Sequence, residues 1–324
     1  MKKDLYNLSH ERGLSNPIRN IPRGYEKPPE NFSFIVSIFI LVVTMRAFIS
    51  LDLEGLPYIV SREHLFVKGA LYSEARRIAT EIVKVTAEAL HENGFDEIIV
   101  ADSHGPMVNI LPEEMPEYVE LVRGFPRPLS MVAFAKDSDA ALFLGYHAKA
   151  GTAYATFDHT YSGASIDRLE INGVEVSEFL LNAYLLGSWN VPVILVGGDK
   201  KLIEDDVRKF TPWVEGVVFK ESPSRYSAKS PSMVKLKNEL RESVSRAVDR
   251  LKNGEAKPLK TEEPVHVKVR FLRSDMADTA ELLPFIKRLD GKTVEFKAKT
   301  VEEAYRVFEL LTLASAGVSA IVMR

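Results

Sequence analysis

The chain has 324 residues, of which 46% are hydrophobic and 27% charged, with a formal net charge of −3 and no cysteine. This excludes disulfides, thiol catalysis and cysteine-held metals, so any metal must sit on His, Asp and Glu, the harder nitrogen and oxygen donors. The near-balanced charge offers no footprint for nucleic acid or an anionic membrane, and the length suits two domains or one large one.

Glutamine is absent as well. Together with abundant Lys, Glu and Arg, that is the composition of a heat-adapted protein. Residues 1–44 read as an N-terminal extension in which a polar, Pro-rich stretch precedes the uncharged run FSFIVSIFILVVTM, Phe32–Met45. The run falls short of the roughly 20 residues of a spanning helix. As a signal segment it has too long and too mixed a leading region and no A-x-A-like site. The favoured expectation is that the native polypeptide begins at Met45, because MRAFISLDLEG reads as an intact first strand. The alternative keeps residues 32–44 as an anchor and makes the protein membrane-associated.

From residue 45 onward short β-rich runs alternate with amphipathic helices. This predicts an α/β fold, a mostly parallel central sheet flanked by helices, with a smaller C-terminal α+β domain or layer. Strands are expected at 46–52, within DEIIVADSHG (96–105), within AALFLGYHA (140–148), within VPVILVGGD (191–199) and at 216–222. Helices are expected at 71–93, at 175–187 after the tight turn Asn172-Gly173, at 200–210 and at 232–252. The divisions are a metal-binding catalytic domain over 45–227, a helix and polar linker over 228–262, and a C-terminal α+β unit over 263–324. That last unit is read as β-α-β-α-β, with the final GVSAIVMR as a strand.

Asp52 and Glu54 follow the first strand two residues apart, a spacing that puts both side chains on one face if extended geometry persists. Solvated loops often carry such pairs. Two further apolar strands, however, end at His104 and His147, and in open α/β sheets ligands collect beyond the carboxyl ends of the strands. Glu178 lies in VEVSEFLLNAY, four residues before Asn182 and so on the same helix face. Either it is exposed there, or it is buried and needs a partner. Asp52, Glu54, His104, His147 and Glu178 make a set of three oxygen and two nitrogen donors. That is more than one tetrahedral zinc with an open position requires, and it suits two metals sharing a carboxylate.

SLDLEG, ADSHG, LFLGYHA, DHTY and SEFLLNAY, in that order, resemble the D-aminopeptidase family, peptidase family M55, and the resemblance extends through VPVILVGGD and FKESPSRYSAKSP. It implies a zinc aminopeptidase acting on short peptides, including those with D-residues. Two Zn2+ per chain would be held by the five residues above, with Asp52 bridging and His159 catalytic. It further implies a ring-shaped homo-oligomer such as a decamer, in the cytoplasm. His159 would act as nucleophile, general base or oxyanion donor, and Asp158 beside it would raise its pKa. Asn182 is expected to orient Glu178 or touch substrate, and Asp199 to bind the substrate amine or cap the next helix. Lys220 and Arg225 would hold a substrate carboxylate or a neighbouring subunit. Two other readings remain: a phosphoesterase with the same ligand chemistry, although no Gly-rich phosphate cradle is present, and a non-catalytic ring-forming peptide-binding protein.

Overall fold

The computed structural model describes residues 44–322. The leader, anchor and start-site readings of residues 1–43 lie outside the described residues.

In chain order the elements are β1 (Arg46–Leu51), α1 (Tyr72–Glu92), β2 (Glu97–Asp102), β3 (Val119–Val122), β4 (Ala140–Tyr146), β5 (Ile166–Ile171) and β6 (Val174–Glu175). Then come α2 (Glu178–Ser188), β7 (Val193–Asp199), α3 (Lys200–Leu202) and, after a π-helical turn at Ile203–Val207, α4 (Arg208–Phe210). The chain closes with β8 (Glu215–Ser224), β9 (Ser227–Lys229), α5 (Met233–Lys252), β10 (Val265–Phe271), α6 (Ser274–Ala280), β11 (Lys287–Arg288), β12 (Thr293–Ala298) and α7 (Val301–Val322).

Seven strands form the large sheet in the order β3-β2-β1-β4-β7-β8-β9, parallel throughout except for the final β8–β9 pair. The expected α/β class with a mostly parallel sheet is therefore what the chain adopts. Because β1 and β4 are covered on both faces, they read as continuous apolar runs. Ala47, Ile49 and Leu51 pack with the α1 and α5 side, whereas Phe48 packs with the opposite core. That second core holds α2, α7 and a small antiparallel sheet ordered β11-β12-β10-β5-β6.

The small sheet differs from expectation in its origin. Residues 263–324 do not build it alone, since β10 pairs with β5 from the preceding segment. Asn172 and Gly173, at φ +50° and +80°, close the β5–β6 hairpin, the conformation that Asn-Gly favours in a two-residue turn. Helix α2 starts later, at Glu178, capped by Ser177, whose hydroxyl accepts from the Leu180 N–H. The C-terminal strand is also absent among the described residues, because α7 runs through to Val322. Its buried positions Ala304, Tyr305, Phe308, Leu311 and Ser315 keep helical spacing past the β-branched residues, and extending a formed helix costs less than starting a new element. By length and composition α7 could cross a membrane, yet this stripe lies in the core, while Leu310, Leu313, Ile321 and Val322 are exposed.

Candidate metal centre

The strand order reverses between β1 and β4, the place where a crevice opens beyond the carboxyl ends of the strands. β1 ends at Leu51, so Asp52 follows it directly while Glu54 stands in a turn, the Leu56 N–H donating to the Leu53 carbonyl at 3.0 Å. Neighbouring exits are tied together: the Asp52 N–H donates to the Leu144 carbonyl at 2.8 Å, and the Gly55 N–H to the Gly145 carbonyl at 2.7 Å. Gly145 has φ +72°, and a Cβ there would lie 2.0 Å from the Asp52 carbonyl oxygen. Only glycine permits that approach. His104 is presented by a loop folded around Asp102, whose carboxylate accepts from the Asn109 and Ile110 N–H groups.

The structure brings Asp52, Glu54, His104, His147 and Glu178 into one buried cluster, with His159 beside it. His104 Nδ1 lies 2.8 Å from Glu54 Oε2 and 3.3 Å from Asp52 Oδ1. His147 Nε2 is 3.4 Å from Asp52 Oδ2 and 3.5 Å from Glu178 Oε1, and His159 Nε2 is 3.5 Å from that same Glu178 oxygen. The rings of His147 and His159 stack with centroids 4.2 Å apart.

Each imidazole uses its other nitrogen on a backbone carbonyl: His104 Nε2 on Leu65 at 2.9 Å, His147 Nδ1 on Ala148 at 3.0 Å, and His159 Nδ1 on Phe157 at 2.7 Å. These bonds select the tautomer whose remaining lone pair faces the carboxylates. His104 Nδ1 is hydrogen-bonded to Glu54, but in neutral His147 a lone pair faces the carboxylates, and Asp52 Oδ2 and His147 Nε2 have no hydrogen-bond partner although both are buried. A cation between them satisfies both, so the donor set fits zinc, with the carbonyls orienting the imidazoles.

Without a cation between them, the imidazoles answer the carboxylates by holding protons instead. Burial and the adjacent Glu54 push the Asp52 carboxyl up. Burial acts the same way on Glu54 and Glu178, but His104 and His147 respectively outweigh it and lower both. Burial would lower His147, yet Glu178 and Asp52 raise it to about 10, and Glu54 likewise raises His104. His159 goes the other way, held down by burial and by neighbouring His147. The expected rise from Asp158 does not occur. Its carboxylate is turned onto Arg225 and the Gly151 N–H.

Two cavities meet at Glu54, His104 and His159. The smaller, about 300 Å³, also exposes Asp52, Glu178 and Glu309; the larger, about 470 Å³, is bordered by Arg62, Phe66 and Arg225. Asn182, Asp199 and Lys220 line neither. Asn182 accepts from the Tyr161 hydroxyl at 2.7 Å and donates to the Tyr146 hydroxyl at 3.1 Å. Asp199 caps α3 through the Lys201 N–H at 2.8 Å and accepts from the Ser222 hydroxyl at 2.7 Å. Lys220 is fully buried and donates to the backbone carbonyls of Glu54 and Ile59. Two wall residues carry no role in the sequence reading: Tyr161, the last residue of DHTY, whose N–H donates to Glu178 Oε1 at 2.6 Å, and Glu309, on a helix remote from every motif.

A model of peptidase family M55, described as D-aminopeptidase, matches residues 45–310. The chain is 30% identical over 270 residues to the D-aminopeptidase of Bacillus subtilis (strain 168), which covers 83% of this chain and 97% of that protein. It superposes with a TM-score of 0.80 and 29% identity on the solved structure of the Zn-dependent D-aminopeptidase DppA from Bacillus subtilis, a self-compartmentalizing protease, over 84% of this chain and 98% of that one. With the match spanning the whole large sheet and its site, this chain belongs to the D-aminopeptidase family.

Proposed function

We propose that the protein is a zinc-dependent aminopeptidase of short peptides, D-residues included, with two zinc ions per chain held by Asp52, Glu54, His104, His147 and Glu178 and with Asp52 bridging. The observation that carries this reading is the orphaned pair, Asp52 Oδ2 and His147 Nε2, buried in a cluster of carboxylates and imidazole lone pairs. Zinc there would polarise the scissile carbonyl and lower the pKa of a water molecule.

His159 moves the proton. Its Nδ1–H is committed to Phe157, so Nε2 is a free acceptor, and its lowered pKa keeps it neutral near pH 7. Nε2 takes a proton from the attacking water as the C–O bond forms, then returns it to the leaving amine as the C–N bond breaks. Of the three roles open from sequence, this tautomer favours the general base. Tyr161 orients Glu178 through its backbone N–H, and Lys220 holds the turn that carries Glu54. The ring-shaped oligomer, of which a decamer is one form, and the cytoplasmic location belong to the same reading; the first rests on the self-compartmentalizing relative. A phosphoesterase is disfavoured because the family model and the curated relative that match this chain are both D-aminopeptidases.

The test is zinc content by mass spectrometry together with hydrolysis of aminoacyl p-nitroanilides and of p-nitrophenyl phosphate. Two equivalents of zinc and anilide hydrolysis, both lost in Asp52→Ala, are expected. In His159→Ala, zinc should stay and turnover vanish. Activity indifferent to chelator and to Asp52 overturns the reading.

A further inference from the structure

The proposed aminopeptidase must recognise a free ammonium, and Asp199, the residue expected to do so, is buried and engaged elsewhere. Besides the clustered Asp52, Glu54 and Glu178, the smaller cavity has one carboxylate, Glu309. It projects from α7, half-buried, next to the fully buried Phe308. Burial pushes its carboxyl up, with a backbone hydrogen bond from Leu129 and the Arg306 and Arg127 charges opposing. No salt bridge within 4 Å engages it among the described residues, and Arg127 spends its guanidinium on the carbonyls of Ser130, Val122 and Asp102. A carboxylate in such a place gains from an incoming cation.

Charge also differs across the centre. No Lys or Arg lines the cavity on the Glu309 side, with Arg127 and Arg306 lying behind its wall, whereas the larger cavity is bordered by Arg62 and by Arg225, the latter paired with Asp158. A peptide with an ammonium at one end and a carboxylate at the other has one favourable direction through this field. Apolar Met107, Phe125, Met131 and Leu313 line the cavity around Glu309, and they suit an uncharged first side chain.

We infer that Glu309 binds the N-terminal ammonium of the substrate, whose first residue is apolar and occupies the smaller cavity. This rests on the aminopeptidase reading but places recognition on α7, outside the metal cluster. The group acts by binding, so its loss should appear in KM more than in kcat.

The experiment uses the zinc-loaded full chain and two probes, alaninamide and propionamide, which differ only in the amine. Calorimetric titration of the wild type should show alaninamide binding at least about tenfold tighter, the worth of one charge-assisted contact. In Glu309→Gln the ratio should fall below about threefold, with zinc content and melting temperature unchanged. If the Gln variant loses zinc or unfolds, Glu309→Asp, which keeps the charge on a shorter arm, should fold and show a reduced ratio. An unchanged ratio in the folded variant overturns the inference and leaves the amine to the metal cluster, and no discrimination in the wild type overturns it by showing that the amine is not recognised. Alanyl-p-nitroanilide hydrolysis is measured in parallel. Its absence in a wild type that still discriminates would remove the aminopeptidase reading while leaving Glu309 an ammonium site.

Discussion

The ammonium of Lys220 donates to the main-chain oxygen of Glu54, and also to that of Ile59 at 2.8 Å, with no exposed surface of its own. A side chain expected at the substrate instead pins the turn that aims a carboxylate into the centre. Burial pushes it down to about 7 against the opposing charges of Asp199 and Glu54, so it is held at a cost in desolvation.

Replacing that residue strands two buried carbonyls. Lys220→Met is expected to destabilise the protein by about 2–6 kcal/mol, at about 1–3 kcal/mol for each unsatisfied group, and to weaken zinc retention. Lys220→Arg should not rescue it, since the larger planar group has no room in a closed site. Chemical denaturation and zinc titration check both, and an unperturbed Met variant would mean that the turn holds itself.

Gly145 joins the β1 and β4 exits. Gly145→Ala sets a Cβ against the Asp52 carbonyl and forces a left-handed backbone, with an expected loss of about 2–4 kcal/mol from strain and overpacking. Asp52 and His147 would part, so zinc content should fall with the melting temperature. A variant that keeps both would show that the approach is not required.

Stripped of metal, the protein should betray the His147 pairing through pH. His147 is raised from its unfolded value to about 10. Its contribution is therefore complete below about pH 6.5 and lost as the pH climbs through the folded value. The stability advantage of wild type over His147→Gln should shrink between pH 6.5 and 10. Lys220, lowered and thus acting in the opposite sense, cancels in that difference. Zinc binding, which displaces ligand protons, should strengthen over the same range. An advantage independent of pH would rule out a carboxylate-paired imidazole.

Arg225 turns the Asp158 carboxylate away from His159 and also donates to the Asp158 carbonyl. The pair is partly exposed, so Arg225→Ala should change stability by no more than about 1 kcal/mol. Freeing the 158–159 backbone should nevertheless misplace the base and lower kcat about tenfold, with zinc content unchanged. Unaltered turnover would show that Phe157 alone positions the ring.

Much of the cluster is legible in the sequence because its residues are local to strand ends. Asp52, His104 and His147 follow apolar runs whose burial on both faces is written in their composition, and parallel neighbours must deliver their exits to one rim. Glu54 reaches the cluster by a different route from the one its spacing predicts. Its extended spacing does not persist, and a turn brings it to His104 instead.

Sequence by itself determined the α/β class, the chain order of the large sheet's main strands and helices, and the residue types that converge, because periodicity and strand-end chemistry are short-range properties. Tertiary structure alone decided that the 166–175 hairpin and the C-terminal strands share one sheet, that Asp199 and Lys220 are sealed in the interior, and that α7 brings Glu309 to the cavity. Those outcomes depend on contacts between segments that are not neighbours in the chain, such as Lys220 with Glu54 or Asp199 with Ser222, where pairing and packing choose among partners that the local pattern cannot rank.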